Sequence, residues 1–273
     1  MVRGGALGDF VLTTPAIQRV RATASRLTLV ANPRFAALWP TLADEVLDIH
    51  GQDSLWLYGG GPLPATYCGA LVFTPGVADG LRGRGVPDVR ETPPHPAAGH
   101  AAAQWLAQSV GDLGAEPGPP RLDPDPERVR RMRALLGGER PVVLAPGGAS
   151  ADKRWPGLAE VARTLRARGV PFVWAPGRDE GPPLHVEGLV LPTMDLPDVA
   201  ALAAVSGVWV GNDTGTTHVA AAAGANVVVL FGPTDPAQWA PASATVVPFA
   251  NPAVTVADHA CAARATSPDL RHP

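Results

Sequence analysis

In the second half of the chain, runs of consecutive apolar residues alternate with stretches in which apolar positions recur every three to four residues. A run of four or five apolar residues bounded by glycine or proline marks a strand buried on both faces. The three-to-four spacing marks a helix with one apolar side. Strands are predicted over residues 141–145, 170–174, 207–210 and 227–231, with a shorter apolar run at 189–191. Helices are predicted over 158–168, 196–204 and 219–223. In the first, Leu158, Val161, Ala162 and Leu165 share a face and Gly169 occupies the stop position. The repeated strand, glycine turn and helix specify a doubly wound parallel sheet.

The first half carries a fainter version of this pattern. Strands are predicted at 27–30, 46–49 and 70–73, and a helix over 10–20. Residues 115–126 are dense in proline and glycine, the strongest linker signal in the chain, and a basic helix is predicted over 127–136. The expected organisation is an α/β domain over 1–122, a linker and basic helix over 123–138, a second α/β domain over 139–250 and a tail over 251–273. The crevice between two such domains is the natural place for a ligand.

Composition narrows the function. The chain has 273 residues, 46% of them apolar, enough to bury one large core or two compact ones. A net charge of -3 argues against a broad nucleic-acid footprint. Two cysteines, Cys68 and Cys261, make neither a disulfide framework nor a zinc set, so a reducing cytoplasm is expected. No apolar run reaches the ~18 residues of a membrane span, and no signal-peptide core is seen. Of 22 basic residues only Lys153 is a lysine.

Three clusters carry candidate chemistry. In the first, Gly4-Gly5-Ala6-Leu7-Gly8-Asp9 leads into the predicted first helix, placing Asp9 at its start. Asp9 reads either as a helix cap or as a catalytic carboxylate, and the residues alone leave this open. In the second, Pro146-Gly147-Gly148 and a polar loop lead to Lys153-Arg154-Trp155-Pro156. This is an exposed loop or an anion site with a lysine point charge, and it lacks the Gly-Lys-Ser/Thr order of a Walker A loop. The third, residues 211–218, is the most informative: Gly-Asn-Asp-Thr-Gly-Thr-Thr-His between a predicted strand and helix. Small and hydroxylated residues there expose backbone N–H groups at the carboxyl edge of the sheet, which suits a diphosphate. Capping by Asp213 or Thr214 accounts for one residue, not eight, although His218 alone could be a buried core histidine.

Taken together and in order, these clusters resemble glycosyltransferase family 9, the lipopolysaccharide heptosyltransferase family. The resemblance is carried by Gly8-Asp9 with Leu12-Thr13-Thr14-Pro15, by Pro146-Gly147 with Lys153-Arg154-Trp155-Pro156, and by residues 211–215 with His218. Leu230-Phe231-Gly232-Pro233-Thr234 and Trp239 complete it. It implies a GT-B fold of two Rossmann-like domains facing a central crevice, the first for the acceptor and the second for the nucleotide-sugar donor. It also implies an inverting reaction without metal or other cofactor. By the same resemblance Asp9 is the catalytic base, and Lys153, Asp213, Thr214, Gly215 and His218 hold the donor's diphosphate and sugar. Glu180 is expected at the nucleoside ribose. Against the family pattern the first strand is shortened to Met1-Val2-Arg3 and the tail after Asn251 is short.

The expected activity is transfer of a sugar, most readily heptose from ADP-heptose, to a cell-envelope glycolipid or oligosaccharide. A nucleotide-sugar binding protein that has lost transfer is the alternative. A GT-B epimerase would require further carboxylates in the crevice. Arg82, Arg84 and Arg90 read either as peripheral contact with the inner membrane or as a solvated face.

Overall fold

The computed structural model describes residues 1–97, 99–111, 118–177 and 188–266. The chain divides into two compact units, Met1–Pro120 and Arg121–Pro273.

In the first unit the elements run α1 (Leu7–Thr23), β1 (Thr28–Ala31), α2 (Pro33–Ala36) and β2 (Glu45–Asp48). A 3-10 turn at Gln52–Tyr58, β3 (Ala70–Val72), α3 (Ala78–Gly83), β4 (Val89–Glu91) and α4 (Ala102–Gln108) follow. β1 pairs with β2 and β3 with β4, both parallel. Val2 joins the two pairs, bridging Val30 on one side and Val72 on the other. Val2 N–H donates to the Leu71 carbonyl at 2.9 Å, and its own carbonyl accepts from Phe73 N–H at 2.9 Å. Arg3 N–H donates to the Val30 carbonyl at 2.9 Å. The lateral order is therefore β2, β1, Val2, β3, β4. Val2 stands where the strand order reverses, and the Gly4–Gly5 turn leaves from that point.

The Leu12-Thr13-Thr14-Pro15 segment has a local explanation. Pro15 lies inside α1 and has no N–H for the Val11 carbonyl. Thr14 Oγ1 donates to that carbonyl instead, at 2.7 Å, and Thr13 Oγ1 donates to the Asp9 carbonyl at 2.7 Å. Residues from Phe10 to Ile17 are buried, so the first half of α1 is locked into the unit and its N-terminus is held in place.

The second unit begins with α5 (Pro126–Leu135), β5 (Val142–Ala145), a 3-10 turn at Ala151–Lys153, α6 (Leu158–Ala167), β6 (Phe172–Trp174) and β7 (Leu189–Val190). It continues through α7 (Leu196–Val205), β8 (Val208–Asn212), α8 (Gly215–Ala222), β9 (Val227–Phe231), α9 (Pro236–Trp239), β10 (Thr245–Pro248) and α10 (Ala253–Ala265). Six parallel strands form one sheet in the order β10-β9-β8-β5-β6-β7. This is the dinucleotide-binding strand order, with its reversal between β5 and β8. All residues of β5, β8 and β9 are buried, as expected for strands covered on both faces. α6 buries the predicted face of Leu158, Val161, Ala162 and Leu165. The basic helix α5 packs along α7, with Arg128 bonded to Asp195 at 2.9 Å and to Asp198 at 2.7 Å. Residues 253–265 of the tail are helical as α10, whose Val256, Ala257 and Ala260 join the core of this unit.

Two predicted helices start about a turn earlier than expected: α1 begins at Leu7 rather than residue 10, and the second case bears on the site. The helix expected from Val219 starts at Gly215, so residues 215–218 form its first turn rather than a loop. Gly, Thr, Thr and His carry little apolar periodicity, which hid that turn from the pattern.

Candidate functional site

The loops leaving β5 and β8 meet at the strand-order reversal of the second unit. Asn212, the last residue of β8, is fully buried and ties them together. Its Nδ2 donates to the carbonyls of Pro146 at 3.0 Å and Gly147 at 2.8 Å, and its Oδ1 accepts from Trp155 N–H at 3.1 Å. Gly148 allows the loop to fold back on itself: a Cβ there would lie 2.5 Å from Arg154 Cγ and 3.2 Å from the Lys153 carbonyl carbon. Lys153 is thereby carried to Asp213, with Nζ 3.1 Å from Oδ2.

Asp213 is nearly enclosed, its side chain 9% exposed. Thr234 Oγ1, from the turn after β9, donates to Oδ2 at 2.7 Å, and His218 Nε2 lies 3.6 Å from Oδ1. Burial pushes the Asp213 carboxyl up. The His218 imidazole, the Thr234 hydroxyl and the Lys153 ammonium outweigh that and hold it down at about 2. Because the folded value lies below the ordinary 3.8, Asp213 stabilises the fold above about pH 4 and loses that contribution as pH falls through 2. The expected contribution is about 2 kcal/mol. Urea midpoints of the wild type and Asp213→Asn should therefore converge on acidification between pH 4 and 2; a constant gap across that window would refute the assignment.

α8 opens directly beside this cluster. Its N-cap Thr214 makes no side-chain bond to the helix backbone. Thr214 Oγ1 lies instead 3.0 Å from Thr216 Oγ1 and 3.3 Å from Thr217 Oγ1, and Thr217 Oγ1 donates to the Asn212 carbonyl at 2.7 Å. The first-turn N–H groups of α8, from Gly215 onward, thus form a partial positive charge next to the Lys153 ammonium. Lys153, Asp213, Thr214, Gly215 and His218 are all brought together. Glu180 lies outside the described residues.

In the first unit, Asp9 occupies the third position of α1 and is not its N-cap. Oδ2 accepts the Ala6 N–H at 3.0 Å, half of a capping box. Gly5 adopts φ +99°, and a Cβ there would sit 2.9 Å from Asp9 Oδ2, so a side chain would displace the carboxylate. Arg3, its side chain 2% exposed, lies behind. It donates to the carbonyls of Phe73 at 3.3 Å, Asp9 at 3.2 Å and Pro94 at 3.3 Å, and its Nη2 is 3.8 Å from Asp9 Oδ1. Burial lowers the pKa of this guanidinium, and the Asp9 charge partly offsets that. His95 Nε2 approaches the same Oδ1 at 3.5 Å. The Asp9 side chain retains 20% exposure, enough to meet a hydroxyl group.

Sequence reasoning quoted Asn212 and Thr234 only as parts of motifs and did not single out Arg3 or His95. Hydrogen-bond capacity was the signal for the first two, and a Pro-Pro-His-Pro run for the last. The three arginines weighed for membrane contact are engaged locally: Arg82 with Asp79 at 2.7 Å, Arg90 with Asp88 at 2.9 Å, and Arg84 with the Gly61 carbonyl. Among the described residues no helix is long and apolar enough to cross a membrane.

Residues 102–260 match glycosyltransferase family 9 (heptosyltransferase). Comparison with curated proteins gives no match. Among solved structures, a family 9 glycosyl transferase from Veillonella parvula aligns over 97% of this chain and 96% of its own, with a TM-score of 0.78 at 16% identity. The E. coli ADP-heptose lps heptosyltransferase II aligns over 97% and 98%, with a TM-score of 0.73 at 18% identity. E. coli heptosyltransferase WaaC with ADP aligns over 96% and 98%, with a TM-score of 0.69 at 16% identity. The fold is GT-B, built from two Rossmann-like units.

Proposed function

The chain belongs to glycosyltransferase family 9 and is a glycosyltransferase of the heptosyltransferase type, and from that premise we propose that it transfers heptose from ADP-heptose to a cell-envelope glycolipid or oligosaccharide with inversion. The observation that carries this reading is the cluster at the β5/β8 reversal. Lys153 is bonded there to Asp213, which directly precedes the N-cap of α8, and the first turn of α8 has no side-chain cap. Solved relatives named with ADP and with ADP-2-deoxy-2-fluoro heptose support the choice of donor.

In this reading the second unit binds the donor. The Lys153 ammonium has three donors and can serve Asp213 and a phosphate oxygen together. With the N–H groups of Gly215 and its neighbours it stabilises the negative charge that gathers on the departing diphosphate. Asp213, Thr214, Gly215 and His218 hold the diphosphate and sugar, and the ribose is assigned to Glu180 by the family resemblance alone. The first unit supplies the base. Asp9 takes the proton of the acceptor hydroxyl as that oxygen bonds to the anomeric carbon and the bond to the diphosphate breaks. A single displacement needs one base and no protein nucleophile, hence inversion. The charge is met by lysine and backbone N–H groups, so the reaction is proposed to need no metal. The site of action is the cytoplasm, at the inner face of the membrane where a glycolipid acceptor would lie.

The alternative is a nucleotide-sugar binding protein that has lost transfer, which a poorly seated Asp9 would favour. The pairing of Val2 on both sides and the bonds from Ala6, Thr13 and Arg3 speak for a seated one. The donor assignment is tested by calorimetric titration with ADP. Wild type should bind, and Lys153→Ala should weaken binding by roughly 10- to 100-fold, the range of a lost charge-assisted contact of about 1.5–3 kcal/mol. Equal affinity in the two proteins would refute it.

A further inference from the structure

We propose that His95 is the onward proton acceptor for Asp9, so that the base is a histidine–aspartate pair rather than a lone carboxylate. This rests on Asp9 being the base, as proposed above.

Three groups converge on Asp9 with graded exposure. Arg3 and His95 both face Oδ1, at 3.8 and 3.5 Å, while Oδ2 is occupied by the Ala6 N–H. The Arg3 side chain is 2% exposed and that of Asp9 20%, whereas His95 is 57% exposed. A fixed cation therefore sits behind the carboxylate, and a titratable ring sits between it and solvent. The placement of His95 is constrained by the chain itself. Pro93, Pro94 and Pro96 surround it and fix three φ angles. Arg3 Nη2 donates to the Pro94 carbonyl at 3.3 Å, so the group that orients Asp9 also anchors the segment carrying His95. A histidine serving only as surface would need neither the prolines nor the anchor.

The chemistry explains the arrangement. A carboxylate is a weak base toward a sugar hydroxyl, and a neutral imidazole in reach gives the proton a better resting place. The acceptor O–H bond breaks, the new O–C bond forms and the C–O bond to the diphosphate breaks. The proton lands on the Asp9 carboxylate and moves from Oδ1 to Nε2 of His95. The imidazolium then releases it to water, restoring both groups. Arg3 remains charged throughout.

The test uses the full chain carrying His95→Gln and His95→Ala, with ADP calorimetry alongside turnover of ADP-heptose. The expected result is a kcat lower by roughly 10- to 100-fold, with ADP affinity and donor KM unchanged. Added imidazole should restore turnover to His95→Ala, while pyrazole, of the same shape but a far weaker base, should not. A kcat within twofold of wild type, or equal rescue by pyrazole, would overturn the proposal. A kcat in Asp9→Asn equal to that of the wild type would instead overturn the reading of Asp9 as the base, on which the proposal stands.

Discussion

Replacing Asp9 by asparagine is expected to lower kcat by about 10²- to 10⁴-fold, the loss that follows removal of a positioned general base. Asparagine keeps the shape of the side chain and its oxygen can still accept the Ala6 N–H, now seen at 3.0 Å, so the start of α1 should survive. The Arg3 contacts to the Asp9, Phe73 and Pro94 carbonyls do not involve the Asp9 side chain and persist. The affinity for ADP, assigned to residues of the second unit, should be unchanged. Initial rates with ADP-heptose and calorimetry with ADP on the same preparation separate the two quantities. A drop below about tenfold would remove Asp9 from the chemistry.

The second large effect concerns stability. Asn212→Asp is expected to destabilise the second unit by about 3–5 kcal/mol, the range found when a buried charge is left uncompensated. Both donors of Asn212 Nδ2 are spent on the carbonyls of Pro146 and Gly147, and the residue has no exposed surface. Aspartate would set a charged oxygen against those two carbonyl oxygens. The loop carrying Lys153 would lose its tie to β8, so ADP affinity should fall with stability. Urea denaturation of the variant decides this, and a loss under about 1 kcal/mol would show that the clamp is dispensable.

Much of the second unit was legible because its strands are buried on both faces. Runs such as residues 142–145 and 227–231 then have no polar alternation to confuse the reading, and α6 shows its period plainly. The first unit was fainter for a physical reason. Its central strand is a single residue, Val2, whose importance lies in bridging Val30 and Val72, and no local pattern announces that. α1 buries Phe10 to Ile17 almost continuously and so lacks a polar face through that stretch. In the site, the residues alone leave Lys153 and His218 open, and it is the family resemblance that singles out Lys153, Asp213 and His218. Asn212, Thr234 and Arg3 each make a hydrogen bond to a partner 21 to 91 residues away, which only the fold brings near. The same holds for His95, 86 residues from Asp9 in sequence and 3.5 Å from it in space.

The most direct measurement is release of ADP from ADP-heptose by the wild-type chain in a chelator, with and without a lipopolysaccharide-type glycolipid, following the sugar into the acceptor. The expected result is ADP formed only when acceptor is present, one for each heptose transferred with inverted configuration, and at an undiminished rate in the chelator. ADP-heptose bound but left intact in the presence of glycolipid and oligosaccharide acceptors would contradict the assignment of this chain as a heptose-transferring enzyme.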